Sequence, residues 1–211
     1  MKILNNFCFN IQKPYYHTAF AGKLPVAQTT LAVKNIGLMP NGKIGKIELL
    51  RKDGKKVYLD VVKSLTNEYK DKHCNVKNEL YTIEDEFGEI IGEMDITVNK
   101  AVNYDRINFP QDPSHVHVVF VCNHSDPKTE YYNDVSGEYE HVGTRLLQIA
   151  LKRSEEAFGH RNINLTSVPI AKNFYKKLGF TEIPNNFGQY RGYMCLVPDG
   201  ANTLAEKYGG L

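Results

Sequence analysis

Two histidines alternate in the segment Ser114-His115-Val116-His117-Val118. Residues i and i+2 of a β-strand point to the same face, so His115 and His117 are predicted to line one cavity. Because an imidazole titrates near neutral pH, such a pair can take a proton from a substrate directly or through water. Two other interpretations stay open. The histidines can be hydrogen-bonded at the solvent end of a strand, or they can be a metal pair, although no third ligand is evident.

Two carboxylates alternate in the segment 89–98, which reads as a half-buried strand. Glu93 and Asp95 share a face of that strand, where they can hold a substrate ammonium group or act as a base. A polar, acidic stretch over 126–140 is predicted to be a loop, and it can form a lid that attracts a cationic amine. Tyr131 within it can pack against the substrate. Solvated surface carboxylates and an ordinary surface loop are the alternatives.

The segment His141-Val142-Gly143-Thr144-Arg145 opens the clearest amphipathic helix of the chain. A helix N-terminus presents unpaired N–H groups and the positive end of the helix dipole. Gly143 lets a phosphate approach that backbone closely, and Arg145 adds a cation suited to phosphate oxygens. The alternative is a glycine that merely begins a helix.

Tyr175 lies in a second predicted helix, which ends at Gly179 as helices with a glycine after the last turn do. A phenol with a reference pKa of about 10 can donate a proton to a leaving thiolate. The alternative is an aromatic residue that only anchors an amphipathic helix to the core.

Hydrophobic periodicity gives the elements that must position these residues. Apolar and β-branched runs predict strands over 44–50, 57–62, 80–83, 89–98, 116–122, 163–167, 181–183 and 190–197. Helices are predicted over 63–73, from Gly143 to Phe158, and from Pro169 to the glycine at 179. The order strand, loop, helix, strand, helix, strand, strand in the second half predicts a mixed α/β layer architecture.

That order of parts, together with the pattern Ala-x-x-Phe-Tyr-x-x-x-Gly-Phe over 171–180, resembles the GNAT superfamily of N-acetyltransferases. The resemblance covers roughly 80–198 of the chain. The segment 138–143 stands where the family has a glycine-rich phosphate loop, but Glu138 and His141 depart from that pattern. Val168 stands where the family often has an asparagine. The pattern His-x-His-x-x-x-Val over 115–121 resembles the two-histidine strand of arylalkylamine N-acetyltransferases.

The resemblance implies an α/β, GNAT-like mixed central sheet with helices on both faces, and acetyl-CoA as cosubstrate. The pantetheine arm would then lie along the backbone of Val119, Phe120 and Val121. The pyrophosphate would meet the helix N-terminus at His141, Val142, Gly143, Thr144 and Arg145. Tyr175 stands at the family's general-acid position, and His117, with His115, stands where histidines help to deprotonate the amine. The implied reaction is direct transfer of an acetyl group to a primary amine.

Two other functions stay open. One keeps the fold and takes a protein N-terminus or lysine as the acceptor instead of a small amine. The other is a catalytically inactive CoA-binding or protein-interaction module of the same fold, suggested by the altered phosphate loop and the unfamiliar first 75 residues. A homodimer also stays open, because an exposed sheet edge in this fold often pairs with the edge of a second copy.

Composition narrows the class of protein. The chain has 211 residues, 26 Lys and Arg against 24 Asp and Glu, and a net charge of +2, which argues against a dedicated nucleic-acid binder. Four well-separated cysteines and no signal-peptide pattern predict a reduced, cytoplasmic protein. Without 18 consecutive apolar residues, no membrane helix is predicted. We expect 1–75 to be an extension or divergent first strands and helix, 76–200 the acetyltransferase-like core, and 201–211 a tail.

Overall fold

The computed structural model describes residues 39–102, 112–127, 139–185 and 188–207. Nine strands are present: β1 (Met39–Arg51), β2 (Lys56–Lys70), β3 (Cys74–Glu84), β4 (Ile90–Ala101), β5 (His115–Asn123), β6 (Tyr139–Glu140), β7 (Ile163–Thr166), β8 (Phe180–Glu182) and β9 (Tyr193–Leu196). Three α-helices accompany them: α1 (Val142–Phe158), α2 (Lys172–Lys177) and α3 (Pro198–Glu206), with a short 3-10 turn at Pro169–Ala171 before α2. The strands form one sheet of order β6-β1-β2-β3-β4-β5-β7-β9-β8.

The first half of the sheet is an antiparallel meander from β1 to β5. Turns at Lys52-Asp53-Gly54 and at residues 85–88 join predicted strands into two antiparallel hairpins, β1–β2 and β3–β4. The helix predicted over 63–73 is wrong, because β2 continues to Lys70 and pairs with β3. That segment is polar and offers no apolar stripe for a helix to bury. Hydrogen bonds to β3 therefore outweigh the local helix propensity of this segment.

The second half supplies the parallel pair that makes the sheet mixed. Strand β5 is followed by α1 and then by β7, which pairs with β5 in parallel. Strands β7, β9 and β8 then pair antiparallel. The apolar side of α1, including Leu146, Leu147 and Ala150, is buried in the core, and the helix packs on β4, β5 and β7. The predicted mixed α/β sheet is confirmed, and among the described residues α1 packs on one of its two faces.

Two contacts fix α1 on the sheet. At its first turn, a Cβ at Gly92 would collide with the side chain of Val142, so only glycine lets the helix come this close to β4. Further along, Arg153 makes a bidentate pair with Glu79 on β3, with N–O distances of 2.8 and 2.9 Å. Tyr81 donates a third hydrogen bond to the same carboxylate. The Arg153 guanidinium overcomes the effect of burial and holds the pKa of Glu79 below its ordinary value.

The described residues towards both ends of the chain belong to the folded core. Residues 39–75 form β1, β2 and the start of β3, and so belong to the same sheet as the core. Of the expected tail, 201–211, residues 201–206 lie in α3, whose Ala201 and Leu204 are buried. The side-chain amide of Gln148 donates to the carbonyls of Leu204 and Lys207 and ties this helix to α1.

Within the described residues, no helix is long and apolar enough to cross a membrane. Three of the four cysteines, Cys74, Cys122 and Cys195, lie in this part of the chain, and all three are free thiols.

Candidate active site

Strands β5 and β7 pair over only three residues and then separate. Their parallel register covers Val116, His117 and Val118 of β5 and ends there. On the other side of β5, the register with β4 shifts between Asp95 and Ile96, which makes Val119 the extra residue of a β-bulge. Val119 is 54% exposed. In the described part of the chain, the β7-facing edge of 119–121 therefore has no strand partner.

The polar residues singled out in β4 and β5 lie on one face of the sheet. Cross-strand partners of an antiparallel pair project to the same side. Here His115 is paired with Asn99, His117 with Thr97, and Glu93 with Cys122. Asp95 is paired with Phe120 at the bulge and shares the face of Glu93. The opposite face, to which Gly92 belongs, receives α1. The structure thus brings Glu93, Asp95, His115 and His117 together on the side away from α1.

The ring of His117 is oriented by Asn164 of β7. Its Nδ1 is hydrogen-bonded to the side-chain carbonyl oxygen of Asn164. An amide oxygen only accepts, so Nδ1 carries the hydrogen and Nε2 keeps its lone pair. Burial lowers the pKa of His117, and the bond to Asn164 partly opposes this shift. His117 is therefore a neutral imidazole with one nitrogen available as a base. Asn164 was not singled out from the sequence, because it lies 47 positions away.

His115 has both ring nitrogens engaged by the protein. Nδ1 donates to the carbonyl oxygen of Pro113 at 3.0 Å, and Nε2 accepts from the Asn99 amide at 3.4 Å. Burial, as the largest cause, lowers the pKa of this imidazole. The contacts of His115 match the hydrogen-bonded alternative to a base. His117 keeps one ring nitrogen that can accept a proton.

The two carboxylates on this face differ in their surroundings. Glu93 is 6% exposed and lies 3.5 Å from Nε2 of His124, a residue just after β5 that the sequence did not single out. Asp95 has no such partner: its Oδ1 is buried without a hydrogen bond. Burial, and secondarily the charge of Glu93, raises the pKa of Asp95 to about 6. A perturbed, unsatisfied carboxylate is a recurrent feature of functional sites.

The N-terminus of α1 is uncapped by any described side chain. The first bond of the helix runs from the Arg145 N–H to the carbonyl of His141, so the N–H groups of Val142, Gly143 and Thr144 have no acceptor within the helix. His141 itself has φ 64° and ψ 15°, the left-handed region that favours glycine. His141 therefore holds a backbone conformation that a glycine would adopt without strain.

Arg145 lies in the first turn of α1, close to that helix N-terminus. Its side chain is buried, with the residue 5% exposed, and its guanidinium donates to the side-chain oxygen of Gln148 at 2.9 Å. Helical geometry turns the side chain inward with the apolar side of α1. That Arg145 binds phosphate stays a prediction.

Tyr175 lies buried on α2, with the residue 8% exposed. Its ring makes edge contacts with Phe174 and Phe180, at centroid distances of 5.1 and 5.8 Å. Burial raises its pKa to about 12, so the hydroxyl stays protonated at neutral pH. The neighbouring Phe174 lies next to Gly143, 3.5 Å from where a Cβ would be. This contact places the helix of Tyr175 beside the N-terminus of α1.

Two predicted features are not placed by the structure. Tyr131 and most of the expected lid, including Glu130, Asp134 and Glu138, lie outside the described residues. In the part that is described, no group of three or more His, Cys, Asp and Glu side chains is arranged to hold a metal ion.

The structure defines a mixed α/β protein whose central sheet opens where β5 and β7 separate. Comparisons with known proteins add limited information. No protein-family model matches the chain. A stretch of 75 residues is 28% identical to tRNA uridine(34) acetyltransferase from Methanocaldococcus jannaschii. This match covers 36% of the chain and only 14% of the relative.

Two solved structures are similar over much of the chain. One is a bacterial toxin, with 21% identity, coverage of 64% of this chain and 73% of that chain, and a TM-score of 0.39. The other is Naa20 of Chaetomium thermophilum in complex with a bisubstrate analogue, with 15% identity, coverage of 63% and 70%, and a TM-score of 0.39. At this level of similarity, the description of the fold rests on the sheet itself.

Proposed function

We propose that the protein is an acetyl-CoA-dependent N-acyltransferase that moves an acetyl group to a primary amine. The observation that carries this proposal is the bulge at Val119, where β5 leaves β7 beside an available imidazole nitrogen on His117. The partial similarity to an enzyme named as an acetyltransferase supports acyl transfer in general.

The described residues fit acetyl-CoA, which supplies a thioester as the acyl donor. The backbone at Val119 and Val121, beyond the end of the ladder with β7, suits an amide-bearing arm, because such an arm can add to a sheet as a further strand. The free N–H groups of Val142, Gly143 and Thr144 suit a pyrophosphate. The left-handed His141 adds a concave turn of backbone N–H groups to that site.

His117 and Tyr175 divide the proton transfers. As the amine nitrogen bonds to the acyl carbon and the carbon–sulfur bond breaks, Nε2 of His117 takes the proton that the amine loses. Tyr175 gives its hydroxyl proton to the departing sulfur and regains one from solvent. The products are an amide and a thiol, and no covalent intermediate with the protein is needed. Asn164 keeps Nε2 of His117 free throughout, because it occupies Nδ1.

A thermal-shift titration with CoA and acetyl-CoA tests the donor site first. At about 100 times Kd, a ligand stabilises the fold by roughly 2.7 kcal/mol, a melting shift of about 5–10 °C for a chain of this size. Gly143→Val should abolish the shift, because the branched side chain would fill the space between Phe174 and the free N–H groups. Gly45→Val is the matched control, since a Cβ at Gly45 meets nothing within 4 Å.

The outcomes separate the candidate functions. No shift at millimolar ligand contradicts the proposal. Binding without turnover on any amine favours the inactive CoA-binding or interaction module. Mass analysis of the products distinguishes a small amine from a protein N-terminus or lysine. Bulk tRNA belongs among the acceptors because the curated relative is named for tRNA, so the prediction that no nucleic acid takes part is tested in the same assay.

A further inference from the structure

We propose that Asp95 determines acceptor specificity: its carboxylate binds the positive charge of the amine, so the site selects substrates that arrive as ammonium ions. This inference rests on the proposed acetyl transfer and names the class of acceptor. It concerns a residue that does not act as acid or base in the scheme above but faces the same space as His117.

The first argument is position. Asp95 lies opposite Phe120, next to the bulge, and two residues along β4 from Thr97, the partner of His117. Asp95 and His117 are therefore diagonal neighbours on one face of an antiparallel pair. Side chains in that relation are separated by roughly 7–8 Å, a gap that an amine group can bridge.

The second argument is that the protein leaves this carboxylate unsatisfied. Oδ1 of Asp95 is buried and accepts no hydrogen bond. Glu93 on the same strand face, by contrast, lies beside His124. A carboxylate oxygen buried without a hydrogen bond is costly, and an ammonium ion, which offers three N–H donors, would satisfy that oxygen and the charge of the group.

The third argument is the charge of the face around Asp95. The described residues that share it on β3, β4, β5 and β7 include no Lys or Arg, because Lys77 and Lys100 project to the side of α1. The titratable groups on these strands are Glu84, Glu93, Asp95, Cys74, Cys122, His115 and His117. Further away on β1, Lys43 and Lys46 share the face but pair with Asp60. With the histidines neutral, the part of the face around Asp95 is anionic, and the charge that complements it is a cation from the substrate.

The roles of Asp95 and His117 are then complementary. Asp95 holds the acceptor in its cationic ground state and faces the positive charge that builds on nitrogen during attack. His117 first takes one proton from the ammonium ion and passes it to solvent, which frees the nitrogen lone pair for attack, and then takes the second proton that the nitrogen loses as the amide forms. Asp95 would add little to the affinity for an amine that is neutral in solution. Acetylation of that amine would still depend on the acyl donor site.

Two isosteric amines test this difference. Butylamine is an ammonium ion at about pH 7.5, as a lysine side chain is, and O-propylhydroxylamine is neutral there. In Asp95→Asn, kcat/KM for butylamine should fall about tenfold to a hundredfold, mostly through KM, as expected for a lost charged hydrogen bond. For O-propylhydroxylamine the loss should stay within about threefold. Glu84→Gln is the control, because that carboxylate shares the face but is satisfied by Thr82 at 2.7 Å.

A second readout does not need turnover. Butylammonium chloride should raise the melting temperature of the wild type and of Glu84→Gln above a sodium chloride reference of equal ionic strength, but not that of Asp95→Asn. If this pattern holds while neither amine is acetylated, the acetyl transfer fails, the role of Asp95 in acceptor specificity fails with it, and only the binding of a cation at Asp95 stands. If both amines are acetylated and Asp95→Asn affects them equally, the transfer stands and the inference is overturned. No turnover together with no stabilisation overturns both.

Discussion

Nδ1 of His117 and the side-chain oxygen of Asn164 are hydrogen-bonded one residue before the point where β5 and β7 stop pairing. The same two residues are also register partners in the parallel ladder. The ladder therefore fixes the distance between the two side chains, and the hydrogen bond fixes the tautomer of the imidazole. In this arrangement Asn164 is a positioning residue for the base.

Replacing His117 tests the base directly. His117→Ala should lower kcat/KM about 10²- to 10⁴-fold, the usual contribution of a general base. Steady-state kinetics over a range of pH measures the loss. An unchanged kcat/KM at every pH would remove His117 from the mechanism. His115→Ala is the comparison, and its smaller effect is expected because both ring nitrogens of His115 already bind protein groups.

Replacing Asn164 should move the pH profile rather than abolish activity. Burial lowers the pKa of His117, so the base of the wild type loses activity only below about pH 6.5. In Asn164→Asp, a carboxylate beside the ring favours the imidazolium form and raises that pKa. The acidic limb of kcat/KM should then move to higher pH by about one unit or more. A profile that coincides with that of the wild type would contradict the assigned contact.

Tyr175→Phe should slow the reaction without weakening the fold. The ring packs between Phe174 and Phe180, and phenylalanine keeps those contacts. We expect kcat to fall about 10²-fold or more, with the melting temperature within about 2 °C of the wild type. Tyr190→Phe, at an exposed position, is the control and should change neither quantity. Full activity of Tyr175→Phe would mean that solvent, and not Tyr175, protonates the thiolate.

His141→Gly should stabilise the protein. The left-handed conformation at this position costs a residue with a Cβ about 1 kcal/mol, and glycine adopts it freely. The expected gain in melting temperature is about 2–4 °C by calorimetry. His141→Ala separates the causes, because it removes the imidazole but keeps the Cβ. If alanine stabilises the fold as much as glycine does, the strain at this position is not the reason.

Asp95→Asn should be more stable than the wild type at neutral and alkaline pH. The folded protein raises the pKa of Asp95 from 3.8 to about 6, so folding favours the protonated form. The wild type therefore loses stability as the pH rises from about 4 to about 6, by up to about 3 kcal/mol. Urea unfolding at pH 8 should show an advantage of about 1–3 kcal/mol for Asp95→Asn that vanishes near pH 4. An advantage that is the same at both pH values would mean that ionisation of Asp95 does not destabilise the folded protein.

The sequence alone determined those features that depend on local periodicity. The alternation around His117 places its side chain on one strand face, and the glycine and apolar spacing after residue 141 specify an amphipathic helix. The turns after β1 and after β3 are encoded by short segments that contain a glycine. The order of elements in the second half followed from these signals and was sufficient for the fold class.

Tertiary structure decided which of these residues can act together. Residues 63–70 became a strand because β3 offers hydrogen bonds there, and Arg145 turned inward because its position on α1 faces Gln148. The two histidines, equivalent in sequence, differ because Asn164 arrives from β7 to bind one of them and Asn99 from β4 to bind the other. Such pairings join residues far apart in the chain, and local sequence carries no signal for a contact that exists only after the sheet has closed around it.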